Sequence, residues 1–184
     1  MIAYDSRAHG RSEGEACTYG WFEKKDLLKV VKNVEHPPVI LIGSSLGAAV
    51  ALQAAALDDK RVATVIAAET FSDLVTVASE RAPSVFNETS RAEVFRISQE
   101  KGKFPLDEVS PVKAARKIRV PVLMIHGEAD RDTPPEHTQR VFQQLSGPKR
   151  LILVPGAKHG HSLGGSVWNE IDAWIDQHLS GAVK

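Results

Sequence analysis

The run Pro38-Val39-Ile40-Leu41-Ile42, the five residues Gly43-Ser44-Ser45-Leu46-Gly47 and the alanine-rich stretch 48–57 constrain this chain more than any other feature. The first piece reads as a buried strand and the last as a helix, so the chain must reverse within the middle five residues. A turn that sharp puts Ser45 in strained backbone geometry and holds its hydroxyl clear of the sheet. Gly43 and Gly47 are expected to supply the space, because a side chain at either would collide with strand or helix. The span from Pro37 to Leu57 carries no charge and has the length of a membrane helix. Its interior glycine-serine turn and alanine-heavy second half argue instead for strand plus helix.

A serine hydroxyl is a poor nucleophile at neutral pH without a base, and the base needs an orienting acid. Both stand downstream. Val120 to Ile125 reads as a buried strand that runs into His126-Gly127-Glu128-Ala129-Asp130, and Leu151 to Val154 precedes Pro155-Gly156-Ala157-Lys158-His159. Ser45, Asp130 and His159 each fall just past the carboxyl end of a predicted strand. In an open parallel sheet those ends share one edge, where ligands bind. Asp132 competes with Asp130, and His161 with His159, because each pair shares a short loop. His9 and His126 suit hydrogen bonding within loops, Asp5 suits bracing of the turn after it, and Cys17 reads as a plain thiol.

Strand and helix alternate along most of the remainder. Leu27, Val30, Val31 and Val34 give one apolar helical face, and Arg61 to Ala68 reads as a strand after the Asp58-Asp59-Lys60 turn. Pro134-Pro135 suits a helix start ahead of Thr138, Val141, Phe142 and Leu145. Trp168, Ile171, Trp174, Ile175 and Leu179 form the face of a final helix. Ile2 to Asp5 makes a fifth strand. The expected fold is one α/β domain over 1–184, a doubly wound, mostly parallel sheet. A helical insertion of about 72–118 interrupts it, without a convincing strand and closed by Ser110-Pro111 as cap and first turn. Phe86, Phe95 and Phe104 either line an apolar substrate wall there or pack the insertion on the body.

These residues resemble the α/β-hydrolase superfamily, and within it the serine aminopeptidase-like and prolyl-oligopeptidase-like esterases and peptidases. Tyr4-Asp5-Ser6-Arg7-Ala8-His9-Gly10-Arg11-Ser12 looks like that family's strand and loop ahead of the elbow. His126-Gly127-x-x-Asp130 looks like its acid loop, and Gly156-x-x-His159 like its histidine loop. Two departures are small: Ala8 stands where glycine is usual, and Lys158 where a small residue is common. The resemblance implies a serine hydrolase with Ser45, Asp130 and His159 as catalytic residues and the backbone N–H of Leu46 as one oxyanion donor. It also implies a strand and loop upstream of Tyr4 that carry the second donor. No residue here supplies them, which predicts an N-terminally incomplete domain. Neighbouring strands stand about 4.8 Å apart, so the missing one leaves a gap of about 10 Å. Either Ile2–Asp5 pairs directly with Val39–Ile42, or that apolar edge lies bare, which invites a homodimer or aggregation.

Composition bears on what the chain meets. Lys plus Arg equals Asp plus Glu at 23 each in 184 residues, so nothing electrostatic calls for nucleic acid or an anionic membrane. The lone Cys17 suits a reducing, cytoplasmic setting. No cofactor is expected, and a nicotinamide-binding protein is disfavoured because no G-x-G-x-x-G follows a predicted strand. A metal site drawn from His126, Glu128, Asp130, His159 and His161 is the weaker reading of residues that chain order already explains. The expected partner is a small-molecule or peptide acyl substrate: an ester, thioester or amide. The alternative is an inert body of the same fold, lacking half of its oxyanion hole.

Overall fold

Strand side chains alternate between the two faces of a sheet, and here both faces are apolar. The computed structural model describes residues 1–179. It holds four parallel strands that lie side by side in chain order, β1 (Val39–Ser44), β2 (Val62–Ala68), β3 (Val122–Gly127) and β4 (Lys149–Val154). The helices are α1 (Glu23–Lys32), α2 (Leu46–Leu57), α3 (Leu74–Arg81), α4 (Glu88–Gly102), α5 (Pro111–Ala115), α6 (Glu136–Gln144) and α7 (Val167–Leu179). Leu41, Val65, Ala67, Val122 and Met124 pack on one side against residues of α1, α2, α5 and α6. Ile66, Ala68, Leu123 and Ile125 pack on the other against Val167, Ile171 and Trp174 of α7. Helices thus cover both faces, as the sequence predicts for a doubly wound α/β sheet. Among the described residues no helix is long and apolar enough to cross a membrane.

The alanines of α2 explain how closely it sits on the sheet. Ala48, Ala49, Ala51, Ala54 and Ala55 are all buried, and such small side chains let the helix axis approach β1 and β2. Gly43 is where that approach is tightest. A Cβ there would stand 2.3 Å from the carbonyl carbon and oxygen of Gly47. Gly47 differs from expectation: a Cβ on it would meet nothing within 4 Å. The close contact is made by its backbone, and its own side-chain position opens outward.

Between β2 and β3 the alternation of strand and helix stops. Asp73 caps α3 by accepting from the Thr76 N–H, and Asn87 caps α4 from the Ser90 N–H. Ser110 caps α5 with Pro111 in its first turn. Phe104 is buried among Phe71, Leu74, Val77 and Leu106, and Phe95 packs against the same cluster. Those two phenylalanines therefore bind the insertion to the body. Phe86 remains 41% exposed.

Two expectations fail. Ile2–Asp5 is not a strand. A groove of about 420 Å³, lined by Ile2, Tyr4, Ile40, Ile42, Leu46 and Gly47 among others, separates this segment from β1. A strand exists only by pairing, and no ladder spans a groove of that size. The segment turns on itself instead: the Arg11 N–H donates to Asp5 Oδ2 at 2.9 Å and the Ser12 hydroxyl to the Asp5 carbonyl at 2.6 Å. Asp5 thus braces the turn, as expected of it. The outer edge of β1 has no strand partner among the described residues, and Ile42 is 47% exposed. Trp168 is also exposed, because Val167, Ile171 and Trp174 take the positions of α7 that meet the sheet.

Gly43→Ala should destabilise the chain by about 3 kcal/mol, the upper range for overpacking a rigid contact. Ala8 has φ +57°, a left-handed conformation that costs an alanine about 1 kcal/mol. Ala8→Gly should therefore be neutral or stabilising. Urea unfolding of the two variants beside the wild type checks both directions.

Candidate active site

Ser45 lies between the end of β1 and the start of α2 with φ +51° and ψ −116°. A non-glycine residue adopts positive φ only under compulsion, and here the compulsion is the Gly43–Gly47 contact. The Ser45 N–H donates to the Ala68 carbonyl of β2 at 2.8 Å, so the turn is pinned to the neighbouring strand.

His159 meets this serine from the loop after β4. Its Nε2 is 2.9 Å from Ser45 Oγ, and its Nδ1 is 2.7 Å from Asp130 Oδ2. A carboxylate only accepts, so Nδ1 carries the proton and Nε2 is free to accept from the serine hydroxyl. Asp130, beyond β3, is 3% exposed. Its Oδ1 accepts from the N–H groups of Asp132 and Thr133, each at 2.9 Å. Burial pushes its carboxyl up, but the Thr133 N–H and the His159 ring overcome that and hold it below the ordinary carboxylate range.

The structure brings together Ser45, Asp130 and His159, and it separates their competitors. Asp132 offers its backbone to Asp130 rather than a carboxylate to His159. His161 is exposed, with Nδ1 2.8 Å from the His159 carbonyl. His9 holds the Arg7 carbonyl within its own loop. His126 does more than loop bonding. Its Nε2 lies 2.8 Å from the Thr133 carbonyl and 3.2 Å from Asp130 Oδ2, so the ring buttresses the acid from behind. Burial pushes the Cys17 thiol up, away from the reactive thiolate. Among the described residues no group of three histidine, cysteine or acidic side chains is placed to hold a metal ion.

Glu69 was missed by the sequence reading. It follows β2 directly with φ +57° and is 1% exposed. Its carboxylate accepts from the N–H groups of Gly160 at 2.7 Å and Ser162 at 2.9 Å, and from the Ser44 hydroxyl at 3.2 Å. Burial raises this carboxyl, yet the bonds from Ser162 and Gly160 and the nearby His159 lower it below its usual range. The available signal was a lone acid at the end of an apolar strand, on the edge where Ser45 and Asp130 also end.

Leu46 is the first residue of α2, where backbone N–H groups have no acceptor within the helix. Beside His159 opens a cavity of about 560 Å³, lined also by Glu80, Arg81, Arg131, Asp132 and Pro134. Arg81 is tied down, its Nε donating to the Asp132 carbonyl at 2.6 Å.

The model of the alpha/beta hydrolase family matches residues 1–166, and the chain belongs to that family. The uncharacterized protein YqkD of Bacillus subtilis (strain 168) is 34% identical over 174 residues, which cover 88% of this chain and 56% of YqkD. The mitochondrial palmitoyl-protein thioesterase ABHD10 of Bos taurus is 29% identical over 175 residues, 86% of this chain and 56% of that protein. The solved structure of alpha/beta hydrolase domain-containing protein 10 from mouse superposes with a TM-score of 0.69 at 26% identity, covering 94% of this chain and 76% of that one. The chain spans little more than half the length of these two curated relatives.

Asp130 has a folded-state pKa below its unfolded one, so ionisation favours the folded state above the unfolded value. That contribution drains away as pH falls from about 4 through the folded-state value. The stability difference between wild type and Asp130→Asn should shrink as pH falls below about 4. Urea unfolding at stepped pH measures it.

Proposed function

We propose that this chain is a serine hydrolase that acts on a carboxylic ester, thioester or amide through an acyl-enzyme. The hydrogen-bonded series Ser45–His159–Asp130, at 2.9 and 2.7 Å, carries the reading. His159 Nε2 takes the Ser45 proton as Oγ attacks the substrate carbonyl, and the C–O, C–S or C–N bond breaks as the same proton passes to the leaving group. Water then repeats the cycle: His159 takes its proton, the hydroxide oxygen attacks the acyl carbon, and Ser45 leaves reprotonated. Asp130 fixes the imidazole tautomer and stabilises the imidazolium without being protonated itself. The Leu46 N–H supplies one oxyanion donor. No cofactor or metal enters this scheme.

The thioesterase name of one relative supports thioesters as a substrate class, and the cavity beside His159 offers room for an acyl or leaving group. We place the protein in the cytoplasm, on the strength of its single free cysteine. A second reading, an inert or impaired hydrolase body, draws on one observation. Among the described residues the outer edge of β1, beside Leu46, has no strand partner to carry a second oxyanion donor. Lack of one donor typically costs about 10²–10³ in turnover.

Intact-mass labelling with a fluorophosphonate tests the reading. The wild-type chain should take one adduct, and Ser45→Ala none, with unfolding midpoints matched. His159→Ala should slow labelling by about 10⁶. Equal labelling of Ser45→Ala would end the assignment, and no adduct on a folded wild-type chain would favour the inert body. A longer form that carries a strand to fill the β1 groove should gain about 10²–10³ in ester turnover.

A further inference from the structure

Glu69 joins the nucleophile turn and the histidine loop through a single side chain. Oε2 accepts from the Ser44 hydroxyl, next to Ser45, and from the Gly160 N–H, next to His159. Oε1 accepts from the Ser162 N–H. Two backbone donors on two different oxygens require an acceptor at both. A carboxylate meets that demand; a glutamine amide presents one acceptor and turns N–H donors toward the other amide. The site is built at a cost, because Glu69 is buried and holds a left-handed φ that a side chain disfavours. Its own N–H donates to the Ile125 carbonyl of β3 at 2.9 Å, which fixes the backbone from which it reaches.

We propose that Glu69 is a positioning residue for His159: its carboxylate clamps the 160–162 backbone, which follows His159 directly, to the nucleophile turn. This rests on Ser45 and His159 acting as nucleophile and base. Asp130 then orients the ring through Nδ1, while Glu69 sets where the ring's backbone stands relative to Ser45. A displacement of about 1 Å in a reacting group costs about 100-fold, and Glu69 is bonded both to the backbone that follows His159 and to the hydroxyl of Ser44, which precedes Ser45.

The test compares wild type, Glu69→Gln and Glu69→Asp by the pH dependence of fluorophosphonate labelling, by thermal midpoint, and by NMR titration of the His159 ring. Glu69→Gln should label about 100-fold more slowly. The acidic limb of its profile and the ring titration should both move to lower pH, since a buried negative charge bonded to the residue after His159 is gone. Glu69→Asp keeps the charge at shorter reach. It should restore the acidic limb while labelling about tenfold below wild type. A folded Glu69→Gln that labels at the wild-type rate overturns the proposal, and so does a slowed one whose limb and ring titration stay in place. Should Glu69→Gln fail to fold, Glu69→Asp decides: a wild-type labelling rate overturns the clamp. A wild-type chain that never labels sinks the serine-hydrolase reading, but the ring titration still judges the coupling of Glu69 to His159 separately.

Discussion

A methyl group on Gly43 would lie 2.3 Å from the Gly47 backbone, and the carboxyl edge of the sheet is organised by that contact. Strand and helix meet so closely that Ser45 has no relaxed conformation available. Strain of this kind costs about 1–3 kcal/mol and persists only where the surroundings over-determine it. Here they do. β1 is held to β2 along its length, α2 is buried through Ala55, and the Ser45 N–H is bonded to β2. The serine is thus presented by packing on both sides of it, not by its own preferences.

A second close approach positions the base. A Cβ on Gly127 would stand 2.3 Å from the Ala157 carbonyl, which accepts from the Ala129 N–H. The acid loop and the histidine loop therefore share backbone contacts before any side chain is considered. Two buried carboxylates lie around this junction, and each is stabilised by backbone donors. An isolated buried carboxylate would neutralise itself. Asp130 avoids this through Asp132, Thr133 and His159, and Glu69 through Gly160, Ser162 and Ser44. The loops are ordered by the charges, and the charges are kept by the loops.

Legibility followed the range of the interactions. The elbow, four of five strands and the helix caps at Ser110 and Pro134-Pro135 rest on neighbours in sequence, so they could be read. Asp130 and His159 could be read because strand ends in a parallel sheet share an edge. Glu69 obeys the same rule, yet its partners lie 25 to 93 positions away, and nothing local marks an acid as bonded rather than solvated. Ile2–Asp5 failed for the opposite reason. Its local pattern suits a strand, but a strand needs a partner within hydrogen-bonding distance, and the groove beside β1 denies one. Trp168 failed because one residue of helical phase separates a buried position from an exposed one, and Val167 takes the buried one.

The two halves of the site differ in consequence. On the acid–base side Asp130 is buried and fully bonded, and His159 is partly exposed beside its cavity. The other half, where Leu46 and Gly47 line the groove beside β1, is open. An N–H stabilises a developing oxyanion most where water is excluded, because the effective dielectric there is low. Under the proposed mechanism, a wet groove weakens the Leu46 donor even with its geometry intact. Covering the β1 edge and strengthening the oxyanion site are then the same structural change. Sheet stability and catalytic power meet at Leu46, so a strand laid along that edge would act on both.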